Sequence, residues 1–229
     1  MADTTLTWLG HAAFRVDTAD GKRVYIDPFL HGNPKCPENE LEPERADIVA
    51  VTHGHGDHVG DTVDIAKKHG STVVALVELA GWLGKQGVPE DKLLAPNKGG
   101  TVSADGATFT LVNAFHSGSA PDGSYGGEPS GIVVGVDGKT IYFAGDTCVF
   151  GDMQLIGRIY QPDVAVIPIG DHYTMGPREA SVAIELLGVK RVVPCHWGTF
   201  GLLTGTPDQL DVPAGVTVER MEPGGSITV

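Results

Sequence analysis

Short apolar runs separated by glycine and proline dominate the chain, and long helical periods are scarce. Leu6–Leu9, Ala13–Val16 and Val24–Ile26 read as an opening meander, with Asp20-Gly21 as the hairpin turn between the second and third strands. Ile48–Thr52 is a continuous apolar run that ends at a histidine-rich segment. The pattern then predicts a helix over Thr62–His69 closed by Gly70, a strand over Thr72–Leu76 and a second helix around Leu79–Lys85. Thr108–Ala114, Ser130–Val136, Thr140–Ala144, Val164–Pro168 and Arg191–Val193 read as further strands, with Thr217–Glu219 and Ser226–Val229 as a terminal pair. Pro177–Leu187 is the best-defined helix. Proline suits its first position, Ala180, Ala183, Ile184 and Leu187 share one face, and Gly188 marks its end. This alternation of strands and helices is the α/β pattern.

One stretch is echoed about half a chain later. Asp20-Gly21-Lys22-Arg23-Val24-Tyr25-Ile26-Asp27 resembles Asp137-Gly138-Lys139-Thr140-Ile141-Tyr142-Phe143-Ala144-Gly145-Asp146. Both describe a tight turn feeding a strand that ends in a carboxylate, which predicts one domain over 1–229 built of two similar halves, about 1–115 and 116–229. Chance recurrence of a common turn is the alternative.

Composition narrows the function classes. The chain has 229 residues, 41% hydrophobic and 20% charged, which suits one domain or two fused halves. No stretch nears the roughly 20 apolar residues that span a bilayer. The opening Met1-Ala2-Asp3-Thr4-Thr5 lacks a secretory leader's pattern, so a cytoplasmic location is expected. Cys36, Cys148 and Cys195 are too few and too scattered for a disulfide framework or a paired-cysteine zinc site. A formal charge of −13 and a pI near 4.9 speak against nucleic acid as a partner and leave a small molecule as the expected substrate. A homo-oligomer is compatible with everything so far.

Chemistry is concentrated in THGHGDHVG, residues 52–60, in a chain with nine histidines. Side chains two apart on a strand share a face, so His53 and His55 can aim at one point, while Asp57 and His58 turn toward a second. Two metal centres about 3.5–4 Å apart share bridging ligands in this way. The stretch supplies too few donors for two closed sites, and other strand ends offer more: His116 after Thr108–Ala114, Asp146 after Thr140–Ala144 and His196 after Arg191–Val193.

THGHGDH, then His116, then AGDT at Asp146, then PCHWGTF at His196 resemble, in order and across essentially the whole chain, the metallo-β-lactamase superfamily. TWLGHAAF and PIGDHYTMGP resemble its small single-domain metal-dependent hydrolase branch, near ascorbate-6-phosphate lactonase and N-acyl-phosphatidylethanolamine phospholipase. The resemblance implies a four-layer αβ/βα sandwich of two similar halves. It puts His53, His55 and His116 on a first metal, Asp57, His58 and His196 on a second, and Asp146 between them. It implies a hydrolase in which water activated by two divalent ions cleaves an ester, lactone or phosphodiester bond. Zinc is the expected metal, with Mn²⁺ or Fe as alternatives. Asp57 would orient the water or accept its proton.

Other candidates lie around this set. Asp27, in Tyr25-Ile26-Asp27-Pro28, is expected to buttress the metal loop, and His11, in LGHAA, to lie near the site or to bond a core carbonyl. His172 is a candidate proton donor to the leaving group, although the preceding Asp171 stands where the branch has glycine. Cys148 and Cys195 read as buried apolar residues, and His31 and His69 as surface residues. Segment 117–130, SGSAPDGSYGGEPS, reads as a lid over the site or a mobile insertion. Trp82, Trp197 or Phe200 would suit an apolar substrate, and Arg178 or Lys98 a phosphorylated one. A mononuclear iron redox enzyme of the same superfamily and a non-catalytic metal-binding protein are the competing functional readings.

Overall fold

Apolar residues on both faces of a strand require cover on both sides. Ile48 and Ala50 point into one hydrophobic cluster, while Val49 and Val51 point into another. Ile141 and Phe143 likewise separate from Tyr142 and Ala144. The computed structural model describes residues 3–229 and shows what provides the cover. Met1 and Ala2, the first two residues of the opening read above as leader-free, lie outside the described residues.

The first sheet contains β1 (Thr5–Trp8), β2 (Phe14–Asp17), β3 (Arg23–Ile26), β4 (Ile48–Ala50), β5 (Thr72–Val74) and β6 (Leu93–Leu94). Helices α1 (Gly56–Val59), α2 (Thr62–His69) and α3 (Val77–Lys85) lie between its later strands in sequence. The second sheet contains β7 (Thr101–Ala104), β8 (Ala107–Asn113), β9 (Ser130–Val136), β10 (Lys139–Phe143), β11 (Val164–Pro168), β12 (Arg191–Cys195) and β13 (Thr217–Val218). With it come α4 (Met153–Tyr160) and α5 (Pro177–Leu187), and the last strand, β14 (Ser226–Thr228), returns to pair with β1.

The two sheets have the same plan. The orders are β14-β1-β2-β3-β4-β5-β6 and, read in the matching direction, β7-β8-β9-β10-β11-β12-β13. In each, the first three pairings are antiparallel and the last three parallel. The echoed turns connect β2 to β3 and β9 to β10, the same place in each plan. Leu6, Phe14, Ile26, Phe109, Ile132 and Phe143 meet between the sheets. The α2 and α3 residues Ile65, Leu79 and Leu83 cover the outer face of the first sheet, and Met153, Ile184 and Leu187 of α4 and α5 cover that of the second. The result is the expected four-layer αβ/βα sandwich.

Several boundaries differ from the sequence reading. β13 and β14 do not pair: Arg191 lies opposite Thr217, whereas Leu6 lies opposite Ile227. Each short strand gains a full sheet edge as partner, which two- and three-residue strands cannot give each other. The second sheet begins at Thr101, ahead of the division expected near 115, and β14 crosses back to the first. Helix α4 went unpredicted because Gly157 interrupts its pattern. A Cβ there would lie 2.0 Å from the Leu187 carbonyl oxygen, so glycine is required where α4 meets α5. Among the described residues no helix is long and apolar enough to cross a membrane.

Phe14 is fully buried between the sheets, its ring 5.7 Å from that of Phe143. Phe14→Ala is expected to cost about 3–5 kcal/mol in urea unfolding, with the slope against denaturant unchanged.

Candidate metal centre

The parallel strands end at a common rim, and the loops leaving them bring the predicted residues together. After β4 the chain runs through Thr52 and His53 to His55, whose extended backbone precedes the single turn of α1. Two bonds tie this loop to the second sheet: the Ser130 backbone N–H (3.1 Å) and hydroxyl (3.0 Å) both donate to the Thr52 carbonyl. Helix α1 ends at Gly60, where φ is +42° and a Cβ would lie 2.4 Å from the Pro28 carbonyl oxygen. Only glycine lets the helix approach the loop after Asp27 so closely.

Asp27 fixes the orientation of this segment. Its Oδ1 accepts the Thr52 backbone N–H (2.7 Å), and its Oδ2 accepts the Thr52 hydroxyl (2.6 Å) and His58 Nδ1–H (2.8 Å). His58 is thereby turned so that Nε2 lies 3.3 Å from Asp146 Oδ1. His11 has a comparable place on the other side: Nδ1 bonds Thr199 Oγ1 (3.0 Å) and Nε2 bonds Asp57 Oδ2 (3.0 Å). Its carbonyl accepts the His196 backbone N–H (2.9 Å) and the Trp8 indole N–H (2.9 Å). Of the two alternatives for His11, the structure shows the one near the site: the side chain bonds a site carboxylate while the backbone carbonyl accepts the N–H of a site histidine. His11, Asp27 and His196 all have left-handed backbones, φ +54°, +46° and +53°, a conformation costly for residues other than glycine and common at functional sites.

Two groups of donors result. His53, His55, His116 and Asp146 offer atoms within 4.8 Å of one another, and so do His11, Asp57, His58 and His196. Asp146 joins them, with Oδ1 near His58 and Oδ2 3.5 Å from His116 Nε2 and 3.2 Å from His196 Nε2. His11, His53, His58, Asp146 and His196 form a buried floor, while His55, Asp57 and His116 are partly exposed at the mouth. His172 joins neither group. It is exposed, and its ring packs edge-on against Tyr173.

The electrostatics of this floor are unusual. Among the described residues, every ion-pair partner of Asp57 and Asp146 is a histidine. Burial works against charge on His58 and His196, yet Asp146, with Asp27 beside His58 and Asp57 beside His196, outweighs it. The His58 pKa is held well above its ordinary value, and that of His196 is raised to about 9. Burial lowers His11 to about 4 against the pull of Asp57, and burial also holds His53 well below its ordinary value. Asp146 stays far below the usual carboxylate range, because His58 and His196 overcome its burial. His58 Nε2, both ring nitrogens of His196 and Asp146 Oδ1 are buried without a hydrogen-bond partner. Unpaired buried donors and acceptors cost about 1–3 kcal/mol each. Orphaned imidazole nitrogens aimed at a shared carboxylate are the donor set a divalent cation satisfies.

Residues 22–197 match the model of the family described as the beta-lactamase superfamily domain. The chain belongs to that superfamily. It is 47% identical over 224 residues to a UPF0173 metal-dependent hydrolase of Koribacter versatilis, covering 96% of this chain and 95% of the relative. A UPF0173 metal-dependent hydrolase of Rubrobacter xylanophilus is 48% identical over 216 residues, covering 92% and 88%. The solved structure of Igni18, a novel metallo hydrolase from the archaeon Ignicoccus hospitalis, superposes with a TM-score of 0.87 at 34% identity over 100% of this chain and 99% of that one.

In this superfamily member, segment 117–130 is seated on the loop that carries His53 and His55. A Cβ on Gly54, between His53 and His55, would lie 2.7 Å from the Ser119 carbonyl oxygen. Inside the segment Ser119 and Tyr125 form a β-bridge, and Ala120 N–H donates to Ser124 O (2.8 Å). The Trp82 indole donates to Asp122 Oδ2 (2.9 Å), tethering the loop to α3. Ser117 Oγ lies 3.4 Å from His55 Nε2. Cys195 is buried between the sheets as expected, but Cys148 is exposed, because it stands in the open loop after Asp146. His31 is on the surface, held by Asp61, and His69 is half-buried on α2. Thr52, Thr147 and Thr199 were not singled out from sequence, although each stands within three residues of a predicted ligand.

Gly54 and Gly56 provide a paired test of this close packing. In chelator-treated protein, Gly54→Ala is expected to lose about 1–3 kcal/mol of stability through overpacking. Gly56→Ala, whose Cβ meets nothing within 4 Å, is expected to change it by less than about 1 kcal/mol in the same urea titration.

Proposed function

We propose that this metal-dependent hydrolase cleaves an ester, lactone or phosphodiester bond in a small molecule at a dinuclear centre. In this reading His53, His55 and His116 hold one ion, Asp57, His58 and His196 hold the other, and Asp146 reaches both. The observation that carries it is the convergence of these seven side chains with partnerless buried nitrogens among them. When bound, a divalent pair lowers the pKa of an attacking water and polarises the oxygen of the scissile group. Zinc suits the imidazole-rich donors.

The chain's own residues supply position and polarity. Asp27 holds His58 through Nδ1, presenting Nε2 in the orientation that such outer hydrogen bonds impose on metal-binding histidines. His11 does the same for Asp57. Burial raises the pKa of Asp57, but the hydrogen bond from His11, with His196 and His58 close by, prevails and keeps it well below the ordinary range. Held in this way, Asp57 would serve as a fixed acceptor toward a water bound at the centre. The partly exposed mouth formed by His55, Asp57 and His116 is where the substrate enters. His172, exposed and in neither donor group, is not a metal ligand in this scheme.

Elemental analysis is expected to find two divalent ions per chain, predominantly zinc. Turnover in a panel of bis(p-nitrophenyl) phosphate, acyl esters and lactones should disappear on chelation and in His55→Ala. Chelator-resistant turnover would overturn the reading, and a single redox-active iron without hydrolysis would favour the oxidoreductase alternative. Asp27→Ala is expected to weaken metal binding by about 10–100-fold in a competition titration against a chromophoric chelator. His172→Ala should leave that affinity unchanged.

A further inference from the structure

Two loops that carry centre residues also carry aromatic rings. Phe115, which is 55% exposed, immediately precedes His116, and Phe150 lies four residues after Asp146. The rings meet edge to face with centroids 5.0 Å apart. Backbone contacts lock the pair to the centre: Phe115 N–H donates to the Thr147 hydroxyl (3.0 Å), and the Phe115 carbonyl accepts Cys148 N–H (3.3 Å). From Phe150 a groove of about 300 Å³ continues along α4, bounded by Leu155, Ile156, Ile159 and Tyr160 and by Val112 of β8. Leu155 is 40% exposed and Ile159 62%, on a chain whose surface is otherwise strongly acidic.

Exposed apolar surface of this kind marks a binding site when it is continuous with a functional one. Here the link is the ring pair: Phe150 lines the groove, and its ring packs on that of Phe115, the residue before His116. The groove offers little to a phosphorylated occupant: Lys98 is the one basic residue among the described residues lining it, and its ammonium donates to Glu128 (3.0 Å). Arg178, the other cation considered for such a substrate, lines a separate concavity beside Glu185 and Asp211.

We propose that the groove from Phe115 and Phe150 to Ile159 binds the hydrocarbon chain of an acyl-bearing substrate whose polar end reaches the His/Asp centre. The nature of the scissile bond rests on the hydrolase reading, whereas binding of the chain is measurable without it. Calorimetric titration of the full-length protein with decanoate and butyrate separates the two. Each methylene buried from water is worth up to about fourfold in affinity. Decanoate is therefore expected to bind at least ~10-fold tighter than butyrate, and Ile159→Asp to remove most of that difference. Val182→Asp, a change at another exposed apolar position, on α5 outside the groove, should leave it intact.

Equal binding of the two acids would overturn the proposal, as would equal effects of the two substitutions. So would sedimentation showing a dimer that Ile159→Asp dissociates, because a second copy would then cover the strip. Turnover of p-nitrophenyl butyrate and decanoate tests the hydrolase reading on its own. If neither ester is cleaved while decanoate binding persists, the groove stands and the reaction assignment falls.

Discussion

A carboxylate buried at the junction of two sheets, with imidazoles as its only charged neighbours, is the constraint around which this molecule is arranged. Asp146 is almost wholly removed from water, its pKa is held far below the usual carboxylate range by His58 and His196, and among the described residues no lysine or arginine pairs with it. Burying such a charge is expensive unless it is paired and hydrogen-bonded. The loops after β4, β8 and β12 supply that pairing, so residues from both halves must be present before the balance is favourable. Fold and centre are therefore one problem: the sandwich brings the loops together, and the charges dictate what can occupy the space between them.

The supporting structure follows a division of labour. Residues of the centre are held by neighbours: His58 by Asp27, Asp57 by the His11 ring, and His196 by the backbone carbonyl of His11. Glycine acts at the loops in a complementary way. At Gly54 and Gly60 it lets one backbone lie against another without an intervening side chain, so the histidine loop is clamped between the turn after β3 and the 117–130 segment. Left-handed conformations at His11, Asp27 and His196 are held in place by these contacts, as strained sites in rigid surroundings generally are.

Much of this was legible in the sequence, for particular reasons. The α/β alternation follows from short apolar runs and from a helix as clearly bounded as Pro177–Leu187, and the αβ/βα plan is what the family resemblance implied. The histidines and aspartates drew attention because donor residues were crowded at predicted strand ends. What stayed hidden depends on contacts between residues distant in the chain. His11 could not be assigned because its partner, Asp57, is brought to it only by folding. The seat of the 117–130 segment on the histidine loop was hidden because glycines that permit motion and glycines that permit close packing are identical in composition. Helix α4 was obscured by Gly157, and the fates of β13 and β14 were decided by which sheet edges were free.

The return of β14 to β1 bears on how the chain is made. Residues 226–228 complete the edge of a sheet whose other six strands end by Leu94. During synthesis that sheet stays open along β1 until nearly all of the second has left the ribosome. An unpaired strand edge is a template for association with other chains, so the nascent first half spends the longest part of translation with its most adhesive border uncovered. Timely emergence of residues 226–228, or protection by a chaperone until then, is the cost of closing the first sheet with a strand that follows the second.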